Sequence, residues 1–300
     1  MKAFTGTAVA LITPFNAEHQ VDVLALKKLV RYNIEAGIDY LVVLGTTAET
    51  ATLSEAEQEL VLETVVRENA SKLPLVLGMG GNDTLSLVHK IRNTNLSDFS
   101  AILSVTPYYN KPTQEGLEAH FNAVAQASPI PVIIYNVPSR TGVNMLAKTS
   151  LNIARKNKNV IGIKEACGDL SQIAQLISGK EEDFLVISGD DATAYQTTLA
   201  GGAGVISVIG QAIPKVFNSL IKGATQGNKE EDHANNEALQ PLIQSIFEEG
   251  NPAGIKALLS VVGDYPTGVR LPLLPATQGL QDKIRQQWHD FELKLKSISV

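Results

Sequence analysis

The sequence predicts a (β/α)8 TIM barrel of the α/β class with a C-terminal helical extension. Short β-branched apolar runs recur along the chain, and each is followed by a longer stretch of helical periodicity. Their spacing, roughly 20 to 35 residues, suits one strand, one helix and two loops. An open, doubly wound sheet shows the same alternation until its strands are counted, and a count of eight favours closure.

The eight runs are Thr7–Ala10, Tyr40–Leu44, Leu75–Gly78, Ala101–Ser104, Val132–Tyr135, Val160–Lys164, Phe184–Ser188 and Gly204–Ser207. Between them lie helix signals. Ser54-Glu55-Ala56-Glu57 reads as a capping box, with Leu60, Val61, Thr64 and Val65 following on one face. After the eighth run the pattern is helical, broken at Asn251-Pro252 and at Tyr265-Pro266-Thr267-Gly268. Residues 1–225 are therefore expected to form the catalytic barrel. Residues 226–300 are expected to form a helical extension that is not an independent domain.

Composition narrows the function. The chain has 300 residues, 44% hydrophobic and 19% charged, which suits one globular unit and excludes disorder. Its net charge of −6, with no dense basic cluster, argues against nucleic acid and anionic lipid and leaves small ligands as partners. The N-terminus lacks an apolar signal core with a cleavage site, and no later stretch supplies about 20 consecutive apolar residues, so a cytoplasmic location is expected. Cys167 is the only cysteine, and His19, His89, His120, His233 and His289 are scattered. No disulfide or metal site is expected, and Cys167 as a nucleophile is the weaker reading of that residue.

Barrel active sites lie at the carboxyl ends of the strands, so polar residues that terminate apolar runs carry the chemistry. Lys164 ends Val160-Ile161-Gly162-Ile163, where burial favours the neutral amine. An ordinary lysine, with a pKa of about 10.4, must fall by about three pH units, or roughly 4 kcal/mol, to act as a nucleophile near neutrality. The plainer alternative is a surface lysine paired with Glu165 or Asp169. Tyr135 ends the preceding run and should reach Lys164 from an adjacent strand about 4.8 Å away, where its phenol can pass protons. Thr46 and Thr47 offer hydroxyls and backbone N–H groups to a small carboxylate. Arg140 suits a second carboxylate. Gly78-Met79-Gly80-Gly81-Asn82 fails the dinucleotide spacing. Ala200-Gly201-Gly202-Ala203-Gly204 reads either as a phosphate loop or, because it precedes the eighth strand, as a tight αβ turn.

These residues carry a resemblance that spans essentially the whole chain. Gly45-Thr46-Thr47-Ala48-Glu49, Thr106-Pro107-Tyr108-Tyr109-Asn110-Lys111-Pro112, Tyr135-Asn136-Val137-Pro138-Ser139-Arg140-Thr141-Gly142, Gly162-Ile163-Lys164-Glu165 and Ser188-Gly189-Asp190-Asp191 occur in order. The chain resembles the dihydrodipicolinate synthase family of pyruvate-dependent, Schiff-base aldolases and lyases. The resemblance implies condensation of pyruvate with L-aspartate-4-semialdehyde on the route to diaminopimelate and lysine. It implies no cofactor, because pyruvate forms an imine with Lys164. Tyr135, Thr46 and Tyr109 would relay protons, with Tyr109 reaching in from a neighbouring subunit of a homo-oligomer, commonly a tetramer. Thr47 would hold the pyruvate carboxylate and Arg140 that of the semialdehyde, with Gly189 and Ile206 offering main-chain oxygens.

The chain departs from the family pattern in two places. Ala48 replaces a usual glycine, which a turn without positive φ accepts. At the site where regulated relatives bind lysine, Asn82 and Tyr108 match, but Ser86 replaces a glutamate. Glu55 and Gln58 stand where some of those relatives have histidines. Weak or absent lysine inhibition is expected. The rival activities are N-acetylneuraminate lyase and 2-keto-3-deoxygluconate aldolase, which Arg140 disfavours because a sugar chain needs no such cation. Outside catalysis, the rivals are a keto-acid sensor and a phosphate-binding barrel.

Overall fold

The computed structural model describes residues 2–227 and 230–298, so Asn228, Lys229 and the last two residues of the expected extension lie outside the described residues. All eight apolar runs form strands: β1 (Gly6–Ala10), β2 (Tyr40–Val43), β3 (Leu75–Gly78), β4 (Ala101–Val105), β5 (Val132–Asn136), β6 (Val160–Glu165), β7 (Leu185–Ser188) and β8 (Gly204–Ser207). They pair in parallel and in chain order, and β8 closes on β1. Four strands run one residue further than expected, to Gly6, Val105, Asn136 and Glu165, and two are one residue shorter. Leu44 takes a left-handed φ of 53° and leaves β2, and Phe184 precedes β7.

Period-two alternation explains why these runs are apolar throughout. One set, including Ala8, Tyr40, Val42, Val76, Leu103, Ile133 and Ile206, fills the barrel. The alternate set, including Val9, Leu41, Leu77, Ile102, Ile134 and Val205, packs outward under the helices. At the closing seam Gly6 pairs with Gly204, and a Cβ on Gly204 would come within 1.9 Å of the Gly6 carbonyl oxygen. Only a residue without a side chain closes the ring there.

The barrel helices are α1 (Val23–Glu35), α2 (Glu55–Asn69), α3 (Thr84–Asn93), α4 (Gln114–Ala127), α5 (Pro138–Thr141), α6 (Ala147–Lys156), α7 (Leu170–Gly179), α8 (Ala194–Leu199) and α9 (Pro214–Thr225). Their starts follow local chemistry. Asp22, Asp83, Thr113 and Asp169 each accept a first-turn N–H, and Ser54 with Glu57 forms the expected capping box. On α2 the buried face is Val61, Thr64 and Val65, whereas Leu60 is turned to solvent. The glycine-rich stretch before β8 is the αβ turn, at the amino end of that strand.

The C-terminal segment forms α10 (Glu230–Glu248), α11 (Ala253–Gly263) and α12 (Gln278–Ile298), broken at the two expected places. These helices pack on one another, and α10 also packs on α9. Their buried residues, among them Leu242, Ile255, Leu258, Ile284 and Phe291, join the core under the outer barrel face. Among the described residues no helix is long and apolar enough to cross a membrane.

Candidate active site

Register places the candidate nucleophile. Lys164 lies directly across from Tyr135 on one side and Ile187 on the other. Its Nζ stands 4.3 Å from the centroid of the Tyr135 ring. Gly189 leaves room for it, since a Cβ there would lie 2.9 Å from Cγ and 3.0 Å from Cε of Lys164.

The surface-paired alternative for Lys164 does not hold. Glu165 is buried on the opposite face of β6 and bonded to Asn136, and Asp169 caps α7 by accepting from Ser171 N at 2.8 Å. Among the described residues no carboxylate lies within ion-pair distance of Lys164. Burial draws its pKa down to about 8, a fall that the Asp191 charge opposes and the Arg140 charge assists. That fall is smaller than expected from the sequence, yet it leaves about one amine in ten unprotonated at pH 7.

The Tyr135 hydroxyl is pushed up by burial and drawn back by the Arg140 charge and by a hydrogen bond with Thr46. Thr46 belongs to a 3-10 turn, Thr46–Ala48, entered from Gly45. Ala48 is accommodated because the left-handed residues of this loop are Leu44 and Glu49, on either side of the turn. Thr13 Oγ1 donates to the Ala48 carbonyl at 2.8 Å. Thr47 is buried, and its hydroxyl accepts a hydrogen bond from Asn251 Nδ2 at 2.9 Å.

Arg140 is carried by the single-turn helix α5, and its Nη2 donates to the Asn251 carbonyl at 3.2 Å. Ile206 lines the barrel interior on β8. The loop after it is held by buried Asp191, which accepts from Ser207 Oγ at 2.6 Å, Val208 N at 3.0 Å and Ile209 N at 2.8 Å. Burial raises Asp191 to about 6. Cys167 is no competing nucleophile: burial and the Glu165 charge push its thiol up to about 12.

Tyr109 is 89% exposed and holds a left-handed φ of 72°, so a single chain does not pack it into the site. Asn82 and Tyr108 do come together, Asn82 Nδ2 donating to the Tyr108 carbonyl at 3.1 Å. Ser86 donates to Asp83, the residue that caps α3. Glu55 is exposed on the first turn of α2.

Two residues escaped the sequence reading. Asn251, noted there only as a helix break, bridges Thr47 and Arg140, and its buried Oδ1 has no partner among the described residues. Lys256 is fully buried on α11, with Nζ donating to Glu49 Oε1 at 2.6 Å and to the Gly268 carbonyl at 2.7 Å. Its signal was present, a single charge within Ala253-Gly254-Ile255-Lys256-Ala257-Leu258-Leu259.

A closed parallel barrel with a buried, unpaired lysine beside a tyrosine at its carboxyl rim defines a class, the barrel lyases that work through a lysine imine. The model of the dihydrodipicolinate synthetase family matches residues 3–290. The chain is 52% identical over 284 residues to the 4-hydroxy-tetrahydrodipicolinate synthase of Flavobacterium psychrophilum, covering 95% of this chain and 97% of that one. It is 45% identical over 289 residues to the synthase of Parabacteroides distasonis, covering 96% and 97%. The crystal structure of the dihydrodipicolinate synthase of Acinetobacter baumannii, complexed with pyruvate, superposes with a TM-score of 0.91 at 36% identity, covering 96% of this chain and 99% of that one. The chain belongs to the dihydrodipicolinate synthetase family.

Proposed function

We propose that this chain condenses pyruvate with L-aspartate-4-semialdehyde to give 4-hydroxy-tetrahydrodipicolinate, through an imine on Lys164. The observation that carries the proposal is the buried lysine in register with Tyr135 and, among the described residues, without a carboxylate partner. Its neutral amine attacks the keto carbon of pyruvate, and the oxygen takes up two protons in turn, one from the attacking nitrogen and one from the relay, and leaves as water when the C=N bond forms. Tyr135 and Thr46 hand over those protons, the phenol being bonded to the threonine hydroxyl. The iminium then draws electrons from the methyl group, which loses a proton to give an enamine. The enamine carbon attacks the aldehyde carbon, whose oxygen takes up a proton. The semialdehyde's own amine finally adds to the imine carbon and expels the Lys164 amine, closing the ring without a cofactor.

In this reading Thr47, oriented by Asn251, holds the pyruvate carboxylate, and Arg140 takes the semialdehyde carboxylate. Gly189 and Ile206 present main-chain oxygens. The exposure of Tyr109 fits a residue that completes the relay of a neighbouring subunit, which makes the working form a homo-oligomer, a tetramer in this reading. The enzyme is assigned to the cytoplasm. Lysine inhibits weakly or not at all, because Ser86 offers no carboxylate to an ammonium group.

The test is borohydride trapping with pyruvate, mapping of the adduct by mass spectrometry, and a semialdehyde turnover assay. A reduced pyruvate on Lys164 is expected. Arg140→Ala should still trap pyruvate while its KM for the semialdehyde rises by roughly 10- to 100-fold. Absence of an adduct, or an Arg140→Ala enzyme with unchanged semialdehyde kinetics, would sink the reading.

A further inference from the structure

One extra residue decides which way Lys164 faces. On β6, Val160 pairs with Val132, but the next pair is Gly162 with Ile133, so Ile161 stands opposite no residue of β5. Such a bulge reverses the alternation of side chains beyond it. Without it Lys164 would stand opposite Asn136 rather than Tyr135, facing the helices instead of the barrel interior. The backbone ladder serves either register, so side chains must choose; Ile163, buried in the outer core, is one of them.

One residue beyond the catalytic pair, on the outer face, Asn136 pairs with Glu165. Asn136 Nδ2 donates to both oxygens of the Glu165 carboxylate, at 2.9 and 3.1 Å. Gln172 Nε2, on α7, donates at 3.0 Å, and the Cys167 amide at 2.9 Å. Asn144 ties the donors together, accepting from Asn136 at 2.8 Å and donating to Gln172 at 2.8 Å. The buried carboxylate is thus surrounded by neutral N–H groups, and among the described residues no cation lies within ion-pair distance of it. Slipping by one residue would remove the carboxylate from these donors and set the Lys164 ammonium against them, donor facing donor.

We propose that Glu165 is a positioning residue: bound by Asn136, Gln172 and the Cys167 amide, its carboxylate selects the bulged register that turns Lys164 toward Tyr135. The proposal rests on the reading of Lys164 as the imine-forming residue. Glu165 itself touches no reacting atom.

The experiment uses the full chain, with folding checked by circular dichroism, and compares pyruvate trapping rate, kcat and both KM values in E165A and E165Q. In E165A the trapping rate and kcat should fall by about 100-fold while the semialdehyde KM holds, because only the fraction of molecules that keeps the bulged register reacts. E165Q keeps the size but sets a donor against Gln172, and should slow trapping by about tenfold. Should E165A fail to fold, E165Q carries the test. Wild-type trapping in folded E165A or in E165Q overturns the proposal. Absence of an adduct on wild-type protein overturns the imine reading, and this inference with it, so the two failures are distinguishable.

Discussion

Among the described residues two lysines are buried, and they resemble each other closely. Burial draws each down to about 8, and each Nζ stands over an aromatic ring, Lys164 at 4.3 Å from the Tyr135 centroid and Lys256 at 4.4 Å from that of Phe15. They differ in their partners. Lys256 is saturated by the Glu49 carboxylate and the Gly268 carbonyl, and the Arg270 amide donates to the second Glu49 oxygen at 2.8 Å. Lys164 has the phenol face and no carboxylate within ion-pair distance among the described residues. A saturated ammonium stays charged and acts as a bolt, here between α11 and the turn that carries Thr46 and Thr47. An unsaturated one gains by losing its proton, which is what a nucleophile requires. A lowered pKa does not separate the two roles, whereas the hydrogen-bond inventory does.

The largest expected effect comes from exchanging each lysine for methionine. Lys164→Met should abolish the pyruvate adduct and lower turnover on the order of a thousandfold or more. It should also raise stability at pH 7 by about 2–3 kcal/mol, because it removes an unpaired buried charge. Lys256→Met should act in the opposite sense. The adduct still forms, but urea unfolding should show a loss of about 3–5 kcal/mol, since Glu49 is left buried and unpaired, and E49M/K256M should recover most of it. Equal stability changes in the two single variants would remove the distinction.

Dependence on pH sharpens the same contrast. As pH rises through about 8, Lys164 loses its proton, so trapping should accelerate and then level off. The sign for stability follows from linkage. The folded pKa lies below the unfolded value of 10.5, so the unfolded chain holds the extra proton between the two. The destabilisation by Lys164 is full below about 8 and fades toward 10.5, and the advantage of Lys164→Met in urea should fade with it. A trapping profile flat from pH 7 to pH 9 would contradict this.

The smallest effect concerns Glu57 and Arg270, a partly exposed pair that holds α2 against the segment after α11. The hydrogen bond from Arg270 keeps Glu57 down at about 2, so its contribution is present above about 4.5 and is lost as pH falls toward 2. Glu57→Gln should lower stability by about 1 kcal/mol or less at pH 7, because solvent screens the pair. A thermal melt would read this, and a loss as large as that of Lys256→Met would mean the exposed pair matters as much as the buried one.

Much of this molecule could be read locally. Eight apolar runs, the capping box at Ser54 and the helix breaks at Asn251-Pro252 and Tyr265-Pro266 rest on neighbouring residues, whose propensities act over a few positions. The strand-end rule likewise points to Lys164 and Tyr135 from the sequence alone.

The other half of the site depends on residues far apart in sequence. Lys256 and Glu49 are separated by 207 positions, and Asn251 and Thr47 by 204. No local pattern says which buried charge will meet which. Even the inward direction of Lys164 rests on the unpaired Ile161 and on Glu165 finding Asn136 and Gln172, a choice between two registers of the same strand. Composition and periodicity were enough to bring the lysine to the rim of a barrel. Only long-range packing, which satisfies one buried ammonium and leaves the other without a counter-charge, decided which lysine could react.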